Sequence, residues 1–160
     1  MTGWFVRNAR DLTWGENELG VYCDLLQGGD RAAEEFAINL NVLGNGQPMA
    51  MYHREPHQEG FLVLRGECVL VAEGEERQLQ QWDYVHCEPN AAHVIVGTGD
   101  EPALVLAVGS RVGPDAVVYP VDPAAVALGA SAEQETTDAR EAYARFSRVR
   151  EVPYREELLL

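Results

Sequence analysis

The chain has 160 residues with 46% hydrophobic content, enough for one domain with a single core. Its formal net charge of −14 disfavours a phosphate backbone as partner, so nucleic acid is not expected. No apolar run approaches the roughly 20 residues that span a bilayer, and the longest, Ala103 to Val108, reads as a strand.

The opening MTGWFVRNAR lacks a charged start followed by an apolar stretch, so no secretory signal is expected. Cys23, Cys68 and Cys87 are odd in number and include no CxxC pair. They read as small buried hydrophobes in a reducing cytoplasm, with Cys87 of interest because it precedes the segment carrying His93.

From there the chain reads as short strands punctuated by turns. Phe36, Ile38, Leu40 and Val42 alternate with smaller or polar residues until Gly44-Asn45-Gly46 breaks the run. Gly60 to Leu64 and Cys68 to Ala72 flank a turn at Arg65-Gly66, and a turn at 73–76 precedes Arg77 to Gln80. Tyr84 to Cys87, His93 to Val96 and Leu104 to Val108 complete the series. Several of these runs are apolar at every position, as expected where two sheets pack together.

The character changes at Asp122. Asp122-Pro123, an alanine-rich run and Gly129 predict a short helix with an N-cap, a first-turn proline and a glycine stop. Asp138 and Glu141 predict a second, Ala139 to about Phe146, packed on the outside of the domain. The closing Leu158-Leu159-Leu160 is expected to dock on the body or on a partner subunit.

Polar, chemistry-bearing residues concentrate in two places. Met49 to Gly66 places His53, Glu55, His57 and Glu59 at alternate positions, and Trp82 to His93 delivers one more histidine. Imidazoles and carboxylates that converge can hold a divalent metal. By strand parity, Met49, Met51 and His53 share one face, with Glu59 entering from the adjacent strand. His93 then arrives from the far side of the mouth. His57 rivals Glu55 as an additional ligand, because both have the same parity. His86 alternates with Val85 and Cys87 and reads as outward-facing.

These two segments resemble the paired motifs of the cupin family. Glu59 and Gly66 keep the first motif's six-residue separation, His53 falls on the first histidine position and Glu55 on the second. Gly46 stands near the opening glycine, one residue too far upstream. In the second motif Trp82 occupies the glycine position, Glu88 and Asn90 replace proline and the second glycine, His93 keeps the histidine, and Gly97 replaces asparagine. The spacer from Glu67 to Gln81 has 15 residues.

The resemblance, over about Leu40 to Val108, implies an all-β fold, a double-stranded β-helix or jelly-roll barrel with a short helical tail. It implies a barrel over 1–121 and a helical extension over 122–160 packed on the same domain. One divalent metal is expected on His53, Glu55, Glu59 and His93; the carboxylates favour Mn²⁺ or Fe²⁺, and Ni²⁺ or Zn²⁺ could be acquired during purification. The implied function is a metal-dependent enzyme of the dioxygenase, decarboxylase or isomerase type acting on a small oxygen-rich molecule. The alternative is a non-catalytic binder of a sugar or organic acid. A homodimer paired through N-terminal strands is also implied, with Trp4-Phe5-Val6 as its apolar edge.

Neither a GxSxG nucleophile nor a GK[ST] phosphate loop is present. Gly44-Asn45-Gly46 starts like a dinucleotide loop, but Met49 stands at the third glycine position and no helix pattern follows.

Overall fold

In the computed structural model, residues 4–27 and 35–159 are described. Among them the strands are β1 (Trp14–Asn17), β2 (Gly20–Asp24), β3 (Phe36–Leu43), β4 (Glu59–Arg65), β5 (Cys68–Ala72), β6 (Glu75–Leu79), β7 (Tyr84–Cys87), β8 (His93–Gly97), β9 (Ala103–Ser110) and β10 (Arg150–Val152). They form a seven-stranded antiparallel sheet ordered β10-β1-β2-β3-β9-β4-β7 and a three-stranded one ordered β6-β5-β8. The fold is all-β, of the expected class, with a short helical tail.

Alternation explains how the sheets meet. On β4, Phe61 and Val63 are almost fully buried while Leu62 and Leu64 are only partly so. Phe61, Val63 and Val105 of the larger sheet join Cys68, Leu70 and Ile95 of the smaller in one cluster between the sheets. The apolar runs of β5 and β8 have no polar face because both faces are covered. Their outward residues Val69, Val71, Val94 and Val96 lie beneath Ala125 and Ala130 of the tail, beside Tyr52. Each such valine, fully buried, is worth about 1.5–3 kcal/mol of transfer free energy.

The tail is helical only in part. Helix α1 (Pro123–Ala127) forms as its punctuation predicts: the Asp122 carboxylate accepts from the Ala124 and Ala125 amides, and Gly129 has φ +69°. Helix α2 (Ala139–Ala142) is shorter than predicted, because the chain leaves helical geometry at Tyr143. The chain then adds β10 to the edge of the larger sheet, pairing Trp14 with Val152. Arg150 and Arg155 both bind the Glu16 carboxylate, at 2.6 and 2.7 Å, which fixes that edge. Leu158 is buried against Trp14, Cys23 and Leu104, so the terminal leucines dock on the body as far as Leu159; Leu160 lies outside the described residues.

Two further differences have local causes. Strand β6 starts at Glu75 rather than Arg77, because Glu73 and Gly74 (φ +50° and +82°) make a two-residue hairpin turn and Ala72 pairs directly with Glu75. Trp4, Phe5 and Val6 form no strand edge; they are exposed and outside regular structure.

Trp82 and Asn90 stand where the resembled motif has glycine, and both are left-handed, with φ +76° and +69°. A bulky residue there is strained by about 1–2 kcal/mol, of which glycine would return part as chain entropy. Trp82 is 67% exposed and contributes little burial. Trp82→Gly should therefore stabilise the fold by roughly 0.5–1 kcal/mol in urea unfolding; an unchanged or lower midpoint would contradict this. At Gly97, where the motif has asparagine, an added Cβ would lie 2.4 Å from the Gly44 carbonyl. The 43–44 backbone crosses there and excludes any side chain.

Candidate metal centre

The segment 46–53 lies along β8 without becoming a continuous strand. The Met49 amide donates to the Ile95 carbonyl, while His53 and His93 exchange both backbone hydrogen bonds, at 3.1 and 2.8 Å. Four residues on one side thus span two on the other, and the surplus bulges outward, where the Tyr52 amide meets the Ala130 carbonyl. Parity fails across such a bulge. Met49 packs against the core between the sheets, whereas Met51 is buried under the tail with Tyr119 and Ala142.

The bulge makes His53 and His93 neighbours, with ring centroids 4.9 Å apart. This corrects the expectation that His93 reaches in from the far side of the mouth. Glu59 makes the crossing instead: it opens β4 in the larger sheet, flanked by Cys87 on β7 and Gly109 on β9. One ligand atom from each of His53, Glu59 and His93 lies within 4.8 Å of the other two.

Each imidazole is oriented by its own backbone. Nδ1 of His53 lies 2.8 Å from the Met51 carbonyl, and Nδ1 of His93 lies 2.9 Å from the Ala91 carbonyl. A carbonyl can only accept, so Nδ1 carries the proton in both rings and Nε2 turns toward Glu59. Nε2 of His93 is 3.1 Å from Glu59 Oε2, and Nε2 of His53 is 3.7 Å from the same oxygen. Neither contact has hydrogen-bond alignment: Glu59 Oε2 and His93 Nε2 are buried without a hydrogen-bond partner.

Electrostatics sharpen the arrangement. Burial holds the His53 imidazole below its usual range, reinforced by His93 and opposed by Glu59. For Glu59, burial favours the neutral acid, but the neighbouring histidines outweigh it and the carboxyl stays below its usual range. Burial also opposes charge on His93; the Cys87 thiol, the Glu59 carboxylate and the Ala91 carbonyl outweigh it and push that imidazole up to about 10.

Glu55 does not join this group. Its carboxylate lies 3.7 Å from His57 Nδ1, and burial together with the nearby Glu59 raises its pKa. His57, the other candidate, is likewise held outside the cluster. His86 is exposed, as its parity indicated. Residue patterns did not single out Phe61 and Tyr119, whose rings lie 5.3 Å from His93 and 6.2 Å from His53. Phe61 shares Glu59's parity on β4, a usable signal; Tyr119 sits in an isolated bridge and carried none. Cys87 is buried and free, as are Cys23 and Cys68.

The donor set fits a divalent cation: two imidazole nitrogens with outer-shell carbonyl partners and one carboxylate oxygen, with Glu59 Oε2 and His93 Nε2 buried and lacking a hydrogen-bond partner.

Comparison with known proteins places this architecture. Residues 40–109 match the family model described as the cupin domain. A protein named as a candidate sugar phosphate isomerase from Acidithiobacillus ferrooxidans is 25% identical, with a TM-score of 0.56 over 64% of this chain and 71% of its own. A cupin 2 domain-containing protein from Halorhodospira halophila is 20% identical, with a TM-score of 0.54 over 81% of each chain. A polyketide cyclase from Streptomyces resistomycificus, 14% identical, aligns with a TM-score of 0.58 over 70% of this chain and 83% of its own. No curated protein matches the sequence. The all-β double sheet, with its gathered histidine and glutamate side chains, agrees with the cupin-domain match. Over residues 40–109 the chain carries a cupin domain, and its fold is similar to those of the cupin structures.

Proposed function

We propose that His53, Glu59 and His93 bind one divalent metal ion and that the site acts on a small oxygen-rich molecule, as a metal-dependent enzyme of the dioxygenase, decarboxylase or isomerase type. The observation that carries this reading is the convergence of three ligand atoms within 4.8 Å, two of them buried with no hydrogen-bond partner. A bound divalent ion supplies a Lewis acid for a ligand oxygen. The chain's own contribution is to hold both Nε2 atoms toward Glu59 and to keep bulk water from His93, whose side chain is 2% exposed.

Glu55 becomes a fourth ligand only by leaving His57. Three protein ligands leave open positions for substrate, and this hard, partly carboxylate set favours Mn²⁺ or Fe²⁺. The similarity to a candidate sugar phosphate isomerase supports an isomerase-type reading of the reaction and is not extended to a phosphate on the substrate. The test is turnover: metal-loaded protein should convert a small hydroxy or oxo compound, and Glu59→Gln should abolish conversion. Conversion unaffected by Glu59→Gln would overturn the reading.

We also propose a cytoplasmic homodimer. Phe36, Tyr84 and Val108 are exposed on the outward face of the larger sheet, and Trp4 and Val6 are exposed near the N-terminus. Light scattering at micromolar concentration should give twice the 17.7 kDa chain mass; the chain mass itself would contradict it. Among the described residues no helix is long and apolar enough to cross a membrane.

A further inference from the structure

A cavity of about 380 Å³ opens against the metal cluster and shares Glu59 with it. That volume lies within the roughly 300–1,000 Å³ of small-molecule sites. Its walls also carry Glu55, His57, Ser110, Arg111 and Asp115. The charges are lopsided: three carboxylates face one guanidinium.

His57 is the group whose chemistry the metal cluster leaves unused. Its side chain is 10% exposed, and its Nε2 is buried with no hydrogen-bond partner. The other nitrogen, Nδ1, faces the Glu55 carboxylate at 3.7 Å. The ring tip reaches the loop after β9, where a Cβ added at Gly113 would stand 3.6 Å from Nε2. A buried polar atom without a partner is costly, and a ligand that brings the partner removes that cost.

We propose that this cavity takes a small molecule that presents hydroxyl or amine groups to His57, Glu55 and Asp115 and carries no phosphate. Carboxylates only accept, so Glu55 and Asp115 ask for donors, and a hydroxyl can pair with the His57 ring nitrogen as well. A phosphate dianion would lie against the Glu55 and Asp115 carboxylates, a juxtaposition that binding sites use to reject partners. The inference deepens the proposed function by naming the substrate class, and it rests on that reading only for the ligand oxygen beside Glu59. The contacts to His57 and Asp115 stand without a metal.

The test uses the full chain before and after chelation, with saturation-transfer NMR titrations of glucose, glucosamine and glucose 6-phosphate. Glucose and glucosamine share one ring and separate hydroxyl from amine recognition; either binding supports the proposal. Glucose 6-phosphate should bind at least about tenfold more weakly. His57→Phe, which removes the ring nitrogens, should abolish transfer. Asp115→Lys, an exposed loop change that leaves the core alone, should shift preference toward the phosphate. The proposal is overturned by glucose 6-phosphate binding as tightly as glucose, by no probe binding, or by a ranking unchanged in both variants. Circular dichroism verifies the fold of each variant. Metal content is measured separately, so sugar binding by a protein that holds no metal would overturn the metal reading alone.

Discussion

His93→Ala should lower Mn²⁺ affinity by more than about 100-fold, beyond the ~10–100-fold that loss of an outer-shell partner costs. The residue is 2% exposed, its ring is fixed by the Ala91 carbonyl, and its Nε2 has no other partner. Glu59→Gln should be of similar size, because the amide cannot supply the charge that brings the cluster together. His57→Ala and Glu55→Gln should each change affinity by less than roughly tenfold, since the pair lies outside the cluster and acts only through the field. Competition with a fluorescent chelator would measure all four. Greater loss in His57→Ala than in Glu59→Gln would show that the ligand assignment is wrong.

Affinity should rise steeply with pH, and later than unperturbed histidines would suggest. Ligands must be deprotonated to bind. With Glu59 below its usual range and His53 below 6.5, the proton that must leave is the one on His93, held up to about 10. Mn²⁺ affinity should therefore climb about tenfold per pH unit from roughly pH 7 toward 9 and level off near 10. The metal-free protein should do the opposite. A folded-state pKa raised above the unfolded value stabilises fully below that unfolded value and is lost as pH rises through the folded one. From about pH 6.5 to 10 the metal-free fold should thus lose stability while the loaded form holds it. Parallel thermal melts across that range would test this; coincident curves would contradict it.

Local features of the fold were legible because they depend on neighbours in sequence. Asp122-Pro123 starts α1 where its capping chemistry requires, and Trp82 and Asn90 take the left-handed backbone that the motif's glycines indicate. Strands β1, β2 and β10 were not legible. WGEN, GVYCD and REV carry glycine, acids and asparagine in place of a β-branched run. Their order comes from burying Trp14 completely and from pairing it with Val152, a contact invisible to local pattern.

The same division applies to the site. Motif spacing indicated His53, Glu59 and His93, which the fold gathers. It could not separate Glu55 from His57, because parity assumes a continuous strand and the chain bulges between Met49 and His53 before turning at Pro56. The bulge also decides who crosses the mouth, which is why His93 proved to be a neighbour of His53.

The most direct measurement is elemental analysis of the protein purified without affinity-column nickel, beside His53→Ala and His93→Ala. One divalent ion per chain in the native sequence and almost none in either variant is the predicted result. Metal content unchanged in both variants, or none in the native chain, would contradict it.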